Sequence, residues 1–397
     1  MPSFVIQPAA QSTTVNMDKV SQFEELPAAG RFSRQQMIPG WSQDRLAAAR
    51  ILVAGAGALG NETLKNLALL GIGTVGIIDF DRVEESNLSR CVLFRSEDIG
   101  CLKADVASER LRQLHPAIQI QAYPHDLLTE IGAGLLAEYD LVLGCLDSIA
   151  ARWQLNRLAR HAGVSWIDAG IDSFHGQMAL YDPQVGACYE CGLNESMLAR
   201  INERHSCSGA PREMASAVVP VAANIVSLTA ALQAHEAVRF LIATPDTGPW
   251  PGLAPGDRLT LSLTPYDLFV VRSRDNPLCL AHGERYEKRE APGLSHRNTA
   301  WELLQSVGSA TLELDWEVVT TLRCERCGER EVIFPLWHLT ADRQSCPQCG
   351  GPCFAERTSR IESKDPLALL ALEALGVPAK AYVRTLGSQG EFLVKLA

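Results

Sequence analysis

The chain is 397 residues long, 47% apolar and 21% charged, with a formal net charge of −10. That length suits two domains, and the acidic balance excludes a nucleic-acid-coating role, which needs a basic surface. Residues 1–30 lack a basic start and a continuous apolar core, so they read as a polar tail rather than a secretory signal. A cytoplasmic protein is expected.

Residues 31–182 alternate β-type runs with helical patterns. Strands are expected at 51–54, 75–79, 118–123, 140–145 and 164–168, with helices at 60–71, 102–114, 126–137 and 149–162. This rhythm predicts an α/β fold: a Rossmann-like, mostly parallel sheet with helices on both faces and ligands at the carboxyl ends of its strands. Further strand segments at 174–181 and 258–272 bracket an apolar helix at 216–241. Pro220, Asn224, Gln233, His235 and Glu236 interrupt that apolar stretch, so it is expected to be a buried helix rather than a membrane span. The charged stretch 283–297, with its Gly and Pro, reads as a linker. Beyond it, 298–397 forms a second unit, helical at 366–375 and β-like at 381–395.

Gly55-Ala56-Gly57-Ala58-Leu59-Gly60 follows an apolar run and opens a helical pattern, and the next apolar run ends in Asp79. Glycines at that spacing allow a tight turn and close phosphate approach at a helix N-terminus, and the acid takes a ribose hydroxyl. Asp81, Asn87, Arg90 and Lys103 come next. Two cations and an Asn suit a nucleotide whose phosphates are attacked better than one whose pyrophosphate is only held.

The chain has twelve cysteines, half of them in CxxC pairs, which in the absence of a secretory signal points to metal. Cys324-x-x-Cys327 and Cys346-x-x-Cys349 have zinc-ribbon spacing, each pair followed by glycine. Cys353 is spare, Cys145 is expected to pack in the core, and Cys91 and Cys101 receive no role.

These motifs, in this order across the first 285 positions, resemble the ThiF/MoeB superfamily of ubiquitin-activating-enzyme-like adenylyltransferases. The carriers of the resemblance are Arg31-Phe32-Ser33-Arg34-Gln35, the glycine loop, Asp79-Phe80-Asp81, Asn87-Leu88-Ser89-Arg90, Lys103, Leu146-Asp147-Ser148, Arg152, Leu155-Asn156 and Cys188-Tyr189-Glu190-Cys191. One departure is Ala58, where the family usually has glycine.

The resemblance implies a tail (1–30), an adenylation domain (31–290) with its own zinc site, and a C-terminal zinc-ribbon α+β domain (298–397). It implies ATP, Mg²⁺ and Zn²⁺ as cofactors. The nucleotide would contact Gly55, Gly57, Ala58, Gly60, Asp79, Asp81, Asn87, Arg90, Lys103, Asp147 and Ser148. Arg90 and Lys103 would neutralise phosphate charge, Asp147 would carry Mg²⁺, and Arg34 would enter from the second subunit of a homodimer. Where relatives place a second CxxC this chain has Cys279 and His282, giving a Cys₃His set with Cys188 and Cys191. Cys207, near Arg204 and His205, stands where some relatives carry a cysteine that receives the activated protein.

The leading expectation is ATP-dependent activation of a ubiquitin-like protein, followed by thioester formation on Cys207 and transfer to a conjugating enzyme. The alternative is adenylation of a sulfur-carrier protein for molybdopterin- or thiamine-type biosynthesis. In both, the partner is a β-grasp protein with a C-terminal Gly. A nicotinamide-dependent oxidoreductase leaves Arg90, Lys103 and Asp147 without a task. A non-catalytic zinc scaffold and adenylation of another small carboxylate are the remaining readings.

Overall fold

The computed structural model describes residues 30–194, 196–197, 220–242, 252–283, 286–339 and 343–397. Five parallel strands, β1 (Arg50–Ala54), β2 (Thr74–Ile78), β3 (Gln119–Tyr123), β4 (Leu141–Gly144) and β5 (Trp166–Asp172), start one sheet. Three antiparallel strands extend it: β6 (His175–Tyr181), β7 (Asp257–Leu263) and β8 (Tyr266–Arg272). The order is β3-β2-β1-β4-β5-β6-β7-β8, so the reversal between β1 and β4 opens a crevice at their carboxyl ends.

Helices α1 (Ala58–Leu70), α2 (Lys103–Leu114) and α4 (Ala223–Ile242) share one hydrophobic core on one face, while α3 (Ile149–Ala162) packs into another. Helix α4 has the length and apolarity of a membrane span. Its polar residues show why it lies on the sheet instead. Gln233, with no exposed surface, donates to the carbonyls of Gly144 (3.1 Å) and Ile167 (3.0 Å) and accepts from Thr63 (3.0 Å). Glu236 accepts from the Leu253 amide at 3.0 Å and pairs with Arg239.

The C-terminal sheet runs β11-β10-β13-β14-β9, with β12 also pairing β10. Its strands are β9 (Glu287–Glu290), β10 (Thr311–Cys324), β11 (Gly328–Pro335), β12 (Cys353–Glu362), β13 (Tyr382–Gly387) and β14 (Gly390–Lys395). Helix α5 (Ala300–Val307) covers its core, opened by a capping box between Thr299 and Glu302.

Four expectations need correction. The stretch 283–297 is not a bare linker, because β9 within it pairs in parallel with β14. Residues 258–272 form two strands, β7 and β8, turning at Thr264-Pro265. Within 126–137 only Ala133–Leu136 is helical. Asp126 instead organises a turn by accepting from the Leu128 amide at 2.9 Å, and a Cβ on Gly132 would lie 2.4 Å from the Ala379 carbonyl oxygen. That segment is shaped to meet the second domain. Residues 366–375 form two separate 3₁₀ turns, Pro366–Leu369 and Leu372–Leu375. Asp365 caps the first, and the fixed φ of Pro366 suits that start.

The two domains touch through charge and backbone. The Gly134 amide donates to the Lys380 carbonyl at 2.7 Å, and Lys380 pairs with Glu138. Asp315 of β10 accepts from Arg157 of α3 and Arg384 of β13, both at 2.9 Å. Burial works against the Asp315 charge, yet the two guanidiniums hold its carboxyl below the usual range. His161, one helical turn beyond Arg157, is pushed down to about 4 by burial and stays neutral there.

Replacing Gln233 with Leu would strand the Gly144 and Ile167 carbonyls in the core. A loss of about 2–4 kcal/mol is expected from urea unfolding; an unchanged midpoint would show that the network does not hold the sheet.

Candidate nucleotide site and metal centres

The loop after β1 is built by two collisions that only glycine avoids. Gly55 has φ +97°, and a Cβ there would lie 2.4 Å from the Cys145 carbonyl oxygen; a Cβ on Gly60 would lie 1.9 Å from that of Gly55. Gly57, the N-cap of α1, differs: a Cβ there meets nothing within 4 Å. The first turn of α1, beginning at Ala58, therefore presents its positive end beside open space, where a helix binds anions.

Asp79 braces this loop from the end of β2. Its carboxylate accepts from the Ala56 amide at 2.7 Å and the Asp81 amide at 2.9 Å. Burial raises its pKa, with those two amides opposing the shift. Lys103 opens α2, and its ammonium pairs with Asp81 at 2.9 Å while its own amide donates to the Asp81 carbonyl at 2.9 Å. Burial disfavours the Lys103 charge, but Asp81 and Asp79 outweigh it and raise the pKa. The site thus keeps a buried cation charged.

Asn87 and Arg90 share the turn after β2. Asn87 accepts from the Glu84 amide at 3.0 Å, its carbonyl accepts from the Arg90 amide at 3.1 Å, and the Arg90 guanidinium donates to the Ser86 carbonyl at 2.7 Å. Beyond β4, Asp147 is exposed, and Ser148 caps α3 by accepting from the Ala151 amide at 3.1 Å. Its hydroxyl therefore has a structural duty whatever else it touches.

Arg34 does not join this group within one chain. Its neighbours Gln35 and Gln43 donate to the carbonyls of Leu69 and Leu70, in the last turn of α1. The glycine loop is at the first turn, roughly 18 Å away along a helix of this length. Cys207 lies outside the described residues. Cys145 is a core residue, its thiol pushed up to about 12 by burial, and burial pushes the Cys91 thiol up to about 11. Neither is a thiolate at neutral pH.

Among the described residues two four-ligand clusters form. Cys188, Cys191, Cys279 and His282 bring one ligand atom each within 4.8 Å of one another, and so do Cys324, Cys327, Cys346 and Cys349. In the first, Sγ atoms are 3.9 Å (Cys188–Cys191) and 3.7 Å (Cys188–Cys279) apart, with Cys191 Sγ 3.7 Å from His282 Nε2. In the second, Cys324 and Cys349 are 3.6 Å apart. Metal–sulfur bonds of about 2.3 Å in a tetrahedron put sulfurs about 3.8 Å apart, so both clusters fit zinc. A hydrogen bond from the Cys188 thiol, with help from the Asn276 amide, lowers Cys191 to about 5. Amides of Gln348 and Cys349 lower Cys346 to about 6. Cys353 sits opposite Cys324 in the β10–β12 register.

Sequence reasoning missed Asp168. It is 5% exposed and receives the Arg152 Nε at 2.9 Å, while the same guanidinium also donates to the carbonyls of Leu146 and Ala169. An acid inside the apolar run Trp166-Ile167-Asp168-Ala169 was its visible signal.

The sequence profile of the ThiF family matches residues 32–280. The sulfur carrier protein adenylyltransferase of Thermus thermophilus is 38% identical over 169 residues, 41% of this chain and 62% of that protein. The adenylyltransferase and sulfurtransferase MOCS3 of Mus musculus is 39% identical over 164 residues, 41% of this chain and 36% of that protein. The chain thus matches only part of either relative's length. The crystal structure of E. coli MccB shares the fold, with TM-score 0.52 at 22% identity, over 66% of this chain and 74% of that one.

Elemental analysis of the purified chain should find two zinc atoms. His282→Ala should reduce the content to one, and a wild-type chain holding one would dismiss the Cys188–His282 site.

Proposed function

The chain belongs to the ThiF family, and from that premise we propose that it adenylates the C-terminal carboxylate of a small carrier or ubiquitin-like protein. The observation that carries the reading is Lys103, kept charged by Asp81 beside the acid that braces the glycine loop. A cation so placed suits a polyphosphate drawn to the N-terminus of α1.

In the reaction the carboxylate oxygen attacks the α-phosphorus of ATP, the bond to the bridging oxygen breaks, and pyrophosphate leaves. Such chemistry needs alignment and charge neutralisation more than covalent help. Lys103 and Arg90 take the growing negative charge on the leaving phosphates. Asn87 orients them, and Asp79 accepts from the ribose. Asp147 suits Mg²⁺, which supplies further neutralisation of phosphate oxygens. Arg34, far from its own loop, serves the site of a second copy, so the working unit is a homodimer. Zinc at both cysteine clusters is structural, with no ligand position left over.

The names of the relatives favour a sulfur-carrier protein as substrate over a ubiquitin-like modifier destined for conjugation, which the sequence alone put first. The residues around Cys207 keep the thioester route as a second reading.

Pyrophosphate exchange into ATP should be stimulated by a β-grasp protein ending in Gly-Gly, and Lys103→Met should lower it about 100-fold or more. NADH oxidation in place of exchange would overturn the proposal. A DTT-sensitive carrier adduct abolished by Cys207→Ala would move the product to the thioester route. Unaltered turnover in that variant would leave the sulfur-carrier route.

A further inference from the structure

Strand β5 outruns its neighbour. Its last partner in β4 is the pair Gly144–Asp168, yet it continues through Ala169 to Asp172 before turning into β6. Four residues at about 3.3 Å each carry the turn roughly 13 Å past the end of β4. Asp147 follows β4 directly, and Arg152 ties Leu146 to Ala169 by donating to both carbonyls. The turn Asp172-Ser173-Phe174-His175 therefore overhangs the β4 side of the crevice. Most residues assigned to ATP come from the glycine loop after β1 and from the end of β2 and the segment after it, with Asp147 and Ser148 alone after β4. Beyond Asp147 and Ser148, the β4–β5 side is open to a second substrate.

The tip is held from both flanks. Val221 pairs in parallel with Ser173, the Ala222 amide donates to the Ser173 carbonyl at 3.4 Å, and the Leu263 amide donates to the Phe174 carbonyl at 3.0 Å. With its backbone fixed, the tip presents side chains. Phe174 is 44% exposed. His175 Nδ1 lies 3.0 Å from Asp172 Oδ1. Because a carboxylate only accepts, Nδ1 donates to it and Nε2 of the neutral ring is left as an acceptor.

We infer that this hairpin positions the extended C-terminal tail of the protein substrate, with Phe174 packing on the tail and His175 Nε2 accepting from one of its amides. A rigid turn beside the reaction point fixes tail register, as specificity elements on loops do. The inference rests on the proposed adenylation of a protein carboxylate. Phe174 and His175 are positioning residues; no bond is made or broken at either.

The test is steady-state pyrophosphate exchange by the full chain with saturating ATP, the probe being a β-grasp carrier ending in Gly-Gly. Phe174→Ala should raise the carrier KM about tenfold, His175→Ala should raise it in the same direction, and the KM for ATP should not move. Phe174→Tyr should restore the wild-type value. An unchanged carrier KM in Phe174→Ala, with exchange still carrier-dependent, overturns the inference and leaves the proposed reaction standing. Equal rises in both KM values also overturn it, by marking general damage to the fold. A wild-type chain without carrier-dependent exchange removes the proposed reaction and this inference together.

Discussion

One guanidinium, that of Arg152, joins the parts of this molecule that must not move relative to one another. It donates to Asp168 on β5, to the Leu146 carbonyl in the loop after β4 and to the Ala169 carbonyl. Against the larger upward push of burial, its charge also lowers the Tyr189 pKa. Burying an ion pair costs several kcal/mol of desolvation and repays it only when every donor finds a partner. Here the fork geometry of arginine spreads those donors over β5 and the loop after β4. A lysine in its place would supply one point of charge and leave the loop bearing Asp147 loosely held.

Helix α3 extends that logic along its length. Ser148 caps it next to Asp147, Arg152 and Asn156 grip the sheet and the metal turn, and Arg157 reaches Asp315 in the second domain. Successive faces of one helix thus connect the proposed nucleotide site, the Cys188–His282 ligand cluster and the C-terminal domain. Charge at the site follows a similar economy. In a chain of net charge −10, cations near the glycine loop need protection from nearby acids. The Lys103–Asp81 pair provides it: Asp81 keeps the ammonium charged and placed, and an incoming phosphate competes with a single exposed carboxylate.

Local chemistry explains what could be read in advance. The strands β1 to β5 were legible because each is an apolar run between breakers, and the glycine loop because Gly55 and Gly60 avoid collisions that any side chain would cause. Ligand spacing pointed to both four-ligand clusters, with His282 in the place of a fourth thiolate. The errors occurred where contacts distant in sequence decide. Residues 126–137 have a helical pattern, but Gly132 lies against the Ala379 backbone. Residues 287–290 look like a linker until β14, about a hundred positions later, supplies hydrogen bonds. Arg152 carried a family motif, whereas Asp168, its counter-charge, had none.

The Cys188–His282 cluster does more than stabilise a turn. Cys188 and Cys279 are 91 residues apart, and the interval contains α4 and the strand pair β7–β8. Closing so long a loop without metal costs chain entropy that grows only slowly with length, so a clasp gains most where the loop is long. The Cys188 end is anchored to α3, where Asn156 accepts from the Tyr189 amide at 3.3 Å. The hairpin Asp172–His175 is braced by residues from that interval, Val221 and Leu263. Zinc bound by this four-ligand cluster would close the interval that supplies Val221 and Leu263, and so would brace the proposed tail-binding turn at the β4–β5 opening.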